Sequence, residues 1–252
     1  MKKTALITGA TAGIGEATAM LLAKNNFNII ITGRREQLLE ALKKKIKSET
    51  DAEVLTLCFD IRKLSEVKKS ISSLDTKWKQ IDVLVNNAGL SVGLNHIDKG
   101  ETDDWERMID TNIKGLLYIT REVSPLMVNR KTGHIINISS IAGKEVYDCG
   151  NVYCATKHAV DSLSKSMRID LLHDNIKVTN IAPGMVETEF SIVRFKGDKA
   201  RADKVYEGLT PLFAQDIAEA ILFAATRPPH VCINDMLIMP TAQAAVSVVN
   251  RG

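Results

Sequence analysis

The stretch Lys3-Thr4-Ala5-Leu6-Ile7-Thr8-Gly9-Ala10-Thr11-Ala12-Gly13-Ile14-Gly15 decides how this chain folds. The apolar run at 3–8 predicts a buried strand, and the apolar spacing over 16–25 predicts a helix. The turn between them has the spacing Gly-x-x-x-Gly-x-Gly, whose missing side chains let a backbone approach a pyrophosphate closely. The free N–H groups and positive dipole at the start of a helix also favour such an anion. Strand, glycine-rich turn and helix in this order predict a dinucleotide cradle; a turn that serves packing only is the alternative.

The rest of the chain alternates between strand and helix patterns. Strands are predicted at 28–32, 54–59, 81–85, 134–138, 176–181 and 236–239, and helices at 36–48, 65–77, 105–130, 152–173 and 215–226. Asn112 interrupts the pattern of the long helix over 105–130, and its polar side chain needs partners if buried. No linker, repeat or low-complexity tract interrupts them, so we expect one α/β domain over 1–252 with a mostly parallel sheet and helices on both faces. Residues 185–210 have little apolar periodicity and several charges, which predicts a mobile loop or lid.

The bulk composition excludes several classes of protein. The 252 residues are 45% hydrophobic and 25% charged, as in an ordinary soluble globule, and the net charge of +3 gives no reason to expect nucleic-acid or membrane binding. No apolar run approaches the roughly 18 residues of a membrane span. We therefore expect a cytoplasmic protein. The four cysteines lack metal-ligand spacing and are interpreted as buried or incidental thiols, so no metal site is predicted.

Two arginines follow the second predicted strand. Arg34 and Arg35 stand where NAD-binding proteins usually place an acid for the ribose 2′-hydroxyl. Guanidinium groups pair well with phosphate oxygens, so this position predicts NADP rather than NAD; a solvated helix start is the alternative. Asp60, at the end of the third strand, could accept a hydrogen bond from the adenine amino group or cap the next helix.

A Tyr-x-x-x-Lys pair supplies candidate proton-transfer chemistry. On a helix, Tyr153 and Lys157 project from one face, one turn apart. A free Tyr has a pKa of about 10, and a neighbouring ammonium favours its phenolate. Such a pair therefore predicts a Tyr that exchanges protons near neutral pH, although a surface helix often carries the same pair by chance.

In order, the chain contains Thr8-Gly9-x-x-x-Gly13-x-Gly15, Asn86-Asn87-Ala88-Gly89, Asn112, Ser140, Tyr153-x-x-x-Lys157 and Pro183-Gly184-x-x-x-Thr188. In these motifs it resembles the short-chain dehydrogenase/reductase family over essentially its full length. The resemblance implies a Rossmann-type, doubly wound, seven-stranded sheet and a homotetramer built partly from the Asn112 and Tyr153 helices. Family members place the catalytic Ser thirteen positions before the Tyr, which selects Ser140 over Ser139.

The resemblance also implies a role for each site residue. Tyr153 would pass a proton to or from the substrate oxygen, and Lys157 would lower its pKa and bind the nicotinamide ribose. Ser140 would orient the substrate carbonyl, and Asn112 would hold a water that relays protons from Lys157 to solvent. The implied cofactor contacts are Gly9, Thr11, Gly13, Ile14, Gly15, Arg34, Arg35, Asp60, Asn87, Tyr153, Lys157, Pro183, Gly184, Val186 and Thr188.

A narrower likeness points to a small-molecule substrate. The stretches 188–198 and 239–243 are similar to NADP-dependent 3-hydroxy acid dehydrogenases, also called serine or L-allo-threonine dehydrogenases. This implies oxidation at C3 of small 3-hydroxy acids or 3-hydroxy amino acids and reduction of semialdehydes such as malonic semialdehyde. One departure is Glu187, where close relatives are expected to carry glycine. The loop around it also looks one residue shorter than theirs.

Arg194, on the predicted lid, is the candidate clamp for the carboxylate of such a substrate. A solvated loop arginine or a subunit contact is the alternative for Arg194. An NADPH-dependent carbonyl or 3-oxoacyl-carrier-protein reductase is the alternative function, with Arg194, Lys196, Lys199 and Arg201 as a docking surface. A nucleotide-sensing protein without chemistry is a third hypothesis, which the intact Ser140, Tyr153 and Lys157 disfavour.

Overall fold

The structure is a computed structural model that describes residues 2–252. The strands are β1 (Lys3–Ile7), β2 (Phe27–Gly33), β3 (Val54–Cys58), β4 (Ile81–Asn86), β5 (Gly133–Ile138), β6 (Ile176–Pro183), β7 (Val186–Glu187), β8 (Leu212–Phe213) and β9 (Asp235–Ile238). The helices are α1 (Gly13–Lys24), α2 (Glu36–Glu49), α3 (Leu64–Ser72), α4 (Thr102–Ile109), α5 (Leu116–Val128), α6 (Asn151–Asp170), α7 (Phe190–Arg194), α8 (Lys199–Lys204) and α9 (Ala214–Ala225). Within 2–252, none of these helices combines the length and apolar character needed to cross a membrane.

Seven strands form one sheet in the order β3-β2-β1-β4-β5-β6-β9, and every neighbouring pair is parallel. The chain winds outward from β1 to β3 and then returns to β4 on the other side of β1, as in a doubly wound fold. The predicted single α/β domain with a seven-stranded, mostly parallel sheet is therefore confirmed. Because the winding direction reverses between β1 and β4, a crevice opens at the carboxyl ends of these two strands.

Helices cover both faces of the sheet, which explains why its strands are apolar on both sides. Side chains alternate along β1: Ile7 packs toward α1, α2 and α9, and Leu6 packs toward α3, α5 and α6. Both residues are fully buried. The rigid sheet holds the carboxyl ends of β1, β4, β5 and β6 at one edge, where the predicted site residues follow each strand.

The long helix predicted over 105–130, with its interruption at Asn112, corresponds to a helical segment that is interrupted at that residue. It starts earlier, at Thr102, and a π-helical segment, Asp110–Gly115, separates α4 from α5. Asn112 lies in this widened turn, where its side chain bonds both backbone polar groups of Leu90. A π-bulge inserts one extra residue per turn and is frequent at functional sites, and sequence periodicity does not reveal it.

The predicted helix over 65–77 is also too long, because α3 ends at Ser72. The hydroxyls of Ser72 and Ser73 donate to the carbonyl oxygens of Lys69 and Ser70, and such local bonds compete with helix continuation. The remaining predicted elements differ from the structure by a few residues at their ends, where helices and strands are least sharply defined.

The segment predicted to be an irregular loop, 185–210, contains β7, α7 and α8, and β7 pairs with β8. The Tyr206 hydroxyl hydrogen-bonds with Ser191 at 2.7 Å and donates to the Val186 carbonyl at 2.8 Å, which ties the segment to itself. Helix α7 brings Arg194 back over the sheet edge. The segment therefore has defined structure, and its motion as a lid stays a prediction.

Candidate active site

A cavity of about 390 Å³ lies along the carboxyl edge of the sheet. Arg34, Arg35 and Asp60 line one end, and Ser140, Tyr153 and Lys157 line the other. The predicted residues between these ends also line it, namely Gly9, Thr11, Gly13, Ile14, Asn87, Pro183, Gly184, Val186 and Thr188. One cavity thus contains both of the clusters that were predicted to bind the two ends of a dinucleotide.

The glycine-rich turn forms the wall in the middle of this cavity. Gly9 has φ +65°, and a Cβ there would lie 2.9 Å from the Ala88 Cα. The Asn87 side-chain amide donates to the carbonyls of Thr8 and Gly9, which fixes the turn against the end of β4. Helix α1 starts at Gly13, so its N-terminus faces the cavity. A backbone surface without side chains in front of a helix N-terminus fits a pyrophosphate.

Gly15 does not line this cavity and has a packing role, and its predicted contact with the cofactor stays a prediction. A Cβ on Gly15 would lie 2.4 Å from the Gly9 carbonyl oxygen and 2.5 Å from the Asn87 amide nitrogen. The third glycine is required because the first turn of α1 packs against the cradle from behind. This matches the use of a third glycine for close helix–strand packing in dinucleotide cradles.

Arg35 at the far end of the cavity is held by two partners. Its Nε and Nη2 donate to the Thr11 hydroxyl at 3.1 and 2.8 Å, and its Nη1 pairs with Glu189 Oε2 at 3.0 Å. Arg34 also lines this end. Two guanidinium groups beside a cradle for a pyrophosphate fit an additional phosphate. Glu189 was not anticipated from the sequence, because it is 154 positions away from Arg35.

The carboxylate of Asp60 lines the same end but is engaged by Arg62, which donates to it from Nε at 3.0 Å and from Nη2 at 2.6 Å. Burial raises the pKa of Asp60, but the hydrogen bonds and charge of Arg62 outweigh burial and lower it overall. The capping alternative is wrong, because α3 is preceded by Lys63 as its N-cap. A contact of Asp60 with adenine stays a prediction.

Tyr153 and Lys157 lie on one buried face of α6, as the spacing predicted, and are 8% and 6% exposed. The Lys157 Nζ donates to the Ile138 carbonyl at 2.9 Å and lies 5.9 Å from the centre of the Tyr153 ring. Burial lowers the pKa of Lys157 to about 8, because no carboxylate offsets its desolvation. The ammonium is thus poised to lose its proton slightly above neutral pH.

The pKa of Tyr153 differs from the sequence-based expectation. Burial of the phenol and the neighbouring Tyr147 raise it, whereas the charge of Arg194 and a hydrogen bond with Ser140 act in the opposite direction. The charge of Arg194 is the largest influence that lowers it, and the role of Lys157 in lowering the pKa stays a prediction. The phenol of Tyr153 keeps its proton at neutral pH and can donate it to an oxygen placed beside it.

The two serines after β5 have separate partners. The Ser139 hydroxyl donates to the Lys157 carbonyl at 3.0 Å and fastens α6 to the sheet. The Ser140 hydroxyl accepts from the Ala142 N–H at 3.1 Å and donates to the Pro183 carbonyl at 3.4 Å, and Ser140 is close enough to Tyr153 to lower the pKa of its phenol. Of the two, Ser140 is the one placed to share a substrate oxygen with Tyr153.

Asn112 does not line the cavity, and its side-chain amide is engaged in hydrogen bonds within the protein. It donates to the Leu90 carbonyl at 2.8 Å and to the Thr156 hydroxyl at 3.0 Å, and it accepts from the Leu90 N–H at 2.9 Å. A Cβ on Gly89 would lie 3.3 Å from Asn112 Oδ1 and 3.5 Å from Lys157 Nζ. Glycine at position 89 thus leaves room between the amide and the ammonium. The water relay through Asn112 stays a prediction.

Arg194 lies beside Tyr153 in a small recess next to the main cavity. Its Nε donates to the Ser91 hydroxyl at 3.1 Å, and its Nη2 donates to the Tyr147 hydroxyl. Its guanidinium carbon is 5.4 Å from the centres of both the Tyr147 and the Tyr153 rings. The alternative of a solvated loop arginine is therefore wrong. Ser91 and Tyr147 were missed from the sequence because no local spacing links them to Arg194.

The fold and this cavity define a dinucleotide-dependent oxidoreductase, because a nucleotide cradle ends at a buried Ser–Tyr–Lys cluster suited to proton exchange with a substrate oxygen. The chain belongs to the short chain dehydrogenase family, whose sequence profile matches residues 3–199. The family resemblance drawn from the motifs is thereby confirmed.

Several characterised proteins are similar to this chain over nearly its whole length. The NADP-dependent 3-hydroxy acid dehydrogenase of Salmonella typhi is 50% identical over 240 residues, which is 95% of each chain. The protein of the same name from Schizosaccharomyces pombe is 42% identical over 250 residues, covering 99% of this chain and 96% of the relative.

Solved structures agree with these relatives. The closed form of a serine dehydrogenase complexed with NADP+ is 43% identical and superposes with a TM-score of 0.93, covering 99% of this chain and 100% of that chain. The serine dehydrogenase of Escherichia coli is 39% identical with a TM-score of 0.83, covering 96% and 99%. The chain is thus similar to 3-hydroxy acid and serine dehydrogenases in both sequence and structure.

Proposed function

We propose that this protein is an NADP-dependent dehydrogenase that exchanges a hydride with C3 of small 3-hydroxy acids or 3-hydroxy amino acids. Serine, allo-threonine and the 3-hydroxypropionate/malonic semialdehyde pair are the representative substrates. The observation that carries the proposal is the position of Arg194, with its guanidinium carbon 5.4 Å from the centre of the Tyr153 ring. A cation next to the proton-donating phenol suits a substrate whose carboxylate is a few bonds from its hydroxyl.

The cofactor is NADP. Arg34 and Arg35 line the end of the cavity farthest from Tyr153, where an adenosine 2′-phosphate would lie once the cradle holds the pyrophosphate. The similar enzymes that carry the name 3-hydroxy acid dehydrogenase are NADP-dependent, and a similar serine dehydrogenase was solved with NADP+. These two observations are independent, since one comes from the cavity and the other from relatives.

Each residue has a part that follows from its contacts. When bound, the nicotinamide accepts or supplies the hydride. Tyr153 exchanges the hydroxyl proton of the substrate, and Ser140 donates to the same oxygen and stabilises the charge that develops there. Lys157, with a pKa of about 8, can take up or release the proton that Tyr153 gains or loses. In this proposal a water held near Asn112 relays that proton from Lys157 to solvent.

A carbonyl or 3-oxoacyl-carrier-protein reductase is the alternative, and the structure weakens its docking surface. Arg194 is engaged inside the recess with Ser91 and Tyr147, and Lys196 pairs with Asp104 at 2.8 Å. Arg201 stacks on the Phe195 ring, 4.6 Å from its centre. Three of the four basic residues of the predicted surface therefore have partners within the chain, and the charges are not all available to an acidic carrier protein.

A substrate panel tests the proposed function. Initial rates would be measured with NADP+ and NAD+ on L-serine, L-allo-threonine and 3-hydroxypropionate, and with NADPH on malonic semialdehyde and an acetoacetyl thioester. We expect turnover of the small acids with NADP(H) and little with the thioester. Preference for the thioester, or for NAD, would overturn the proposal. Family likeness also supports a homotetramer, which light scattering on the purified protein would test.

A further inference from the structure

The ion pair between Arg35 and Glu189 joins the proposed binding site of the cofactor 2′-phosphate to the segment proposed as a substrate lid. Arg35 is a proposed ligand of the cofactor 2′-phosphate, and Glu189 is the N-cap of α7 in the segment proposed as a lid. Both residues line the main cavity, so the pair lies within the proposed cofactor site. The 2′-phosphate and the Glu189 carboxylate therefore need the same guanidinium.

The two anions cannot share Arg35 without cost. Its Nε and Nη2 already donate to Thr11, and Nη1 is the donor that Glu189 uses. A phosphate monoester carries about 1.5–2 negative charges at neutral pH, so a carboxylate held beside it would be repelled. The side chains of Arg35 and Glu189 are 47% and 55% exposed, and ion pairs this exposed are weak enough for a dianion to displace.

Displacement of Glu189 would affect the small recess that contains Arg194, because only a short segment of chain separates the two residues. Thr188, the preceding residue, packs against the cradle, since a Cβ on Gly13 would lie 3.2 Å from it. The five residues of α7 follow Glu189 directly, a rise of about 7.5 Å, and the helix ends at Arg194 beside Tyr153. A helix this short moves as one piece, so a shift at Glu189 also moves Arg194.

We propose that Glu189 is a positioning residue and a determinant of cofactor choice. It pairs with Arg35 until a 2′-phosphate takes that guanidinium, and the released carboxylate lets α7 and Arg194 adjust over the substrate recess. The inference rests on the proposed binding of NADP by Arg35. It predicts that the lid responds to the 2′-phosphate itself and not to the adenosine or the nicotinamide.

Adenine nucleotides without nicotinamide separate these effects. The probes are adenosine 2′,5′-bisphosphate and 5′-AMP, which differ only in the 2′-phosphate. Their dissociation constants would be measured by calorimetry, and hydrogen exchange of residues 188–206 by mass spectrometry. Glu189→Gln is the test variant. Glu187→Gln is the matched control, because it removes the same charge from the same segment and Glu187 makes no ion pair within residues 2–252.

We expect Glu189→Gln to bind the bisphosphate about two- to fivefold more tightly than the wild type, the range of a weak exposed charge interaction, and to bind 5′-AMP unchanged. In the wild type the bisphosphate should speed exchange over 188–194, whereas 5′-AMP should not. In Glu189→Gln that exchange should already be fast and should not respond further. Glu187→Gln should behave as the wild type.

The inference would be overturned by equal bisphosphate affinity in the Glu189 and Glu187 variants, or by equal effects of both probes on wild-type lid exchange. The variant Arg35→Gln distinguishes failure of this inference from failure of the proposed function. If that variant still prefers the bisphosphate over 5′-AMP, Arg35 is not the phosphate ligand and the inference fails, while the substrate panel can still succeed. If the nucleotides bind as expected but the substrate panel shows no turnover of small 3-hydroxy acids, only the proposed substrate is refuted.

Discussion

Replacing Arg194 with Met tests the proposed recognition of the substrate carboxylate. Ser91 and Tyr147 occupy Nε and Nη2, and within residues 2–252 Nη1 has no hydrogen-bond partner, so it remains free to donate to a ligand. A hydrogen bond to a charged group contributes about 1.5–3 kcal/mol. Loss of this contact should therefore lower kcat/KM for a 3-hydroxy acid by roughly 10- to 150-fold.

A second effect of the same substitution must be separated from the first. The charge of Arg194 lowers the pKa of Tyr153, so removing it leaves the phenol harder to ionise. Oxidation of any alcohol should then require a higher pH in Arg194→Met. This effect does not depend on a carboxylate, so it acts equally on charged and uncharged substrates and cancels in the ratio of their kcat/KM values.

The assay compares 3-hydroxypropionate with 1,3-propanediol across pH, using the wild type and three variants. Arg194→Met should lower the acid-to-diol ratio of kcat/KM by roughly 10- to 150-fold. Arg194→Lys should lose less of it, because a charge remains. Tyr147→Phe, which removes the hydroxyl that holds Nη2, should raise KM for the acid relative to KM for the diol, because any change in the pKa of Tyr153 acts on both substrates. Equal losses on both substrates in Arg194→Met would refute the carboxylate contact.

Three further predictions concern the proton-transfer groups. Tyr153→Phe should abolish turnover at every pH while calorimetry shows NADP+ binding retained; near-normal kcat at any pH would contradict the proton role of the phenol. Lys157→Met should raise the free energy of unfolding at pH 7 by about 3 kcal/mol, because the folded protein buries an ammonium whose pKa falls from 10.5 to about 8. Between pH 8 and 10.5, Lys157 is neutral in the folded protein and still charged in the unfolded chain, so the stability of the wild type rises with pH. The extra stability of Lys157→Met, measured by urea unfolding, should therefore shrink by pH 10. A variant less stable than the wild type at pH 7 would contradict this. Gly89→Ala should lower kcat at least tenfold with an unchanged Kd for NADP+, because the added methyl fills the space between Asn112 and Lys157; unaltered kcat would remove the proton relay.

Local sequence determined the parts of this protein that depend on short spacing. Backbone conformation and close approach require glycine at Gly9 and Gly13, both with positive φ, so the cradle was recognisable as a pattern. The helical repeat puts Tyr153 and Lys157 on one face whatever surrounds them. The alternation of apolar strands and amphipathic helices likewise predicted the doubly wound sheet, because each pattern reports the burial of its own segment.

Only the tertiary structure decided what surrounds these groups. Arg194 meets Ser91 across 103 positions of sequence, and Arg35 meets Glu189 across 154, so no local spacing encodes either contact. The pKa of Tyr153 followed from burial, Tyr147 and Arg194, because desolvation depends on everything packed around the phenol. Short-range periodicity thus determined which residues bear the chemistry. Long-range packing decided the charge of these residues and the partners that they contact.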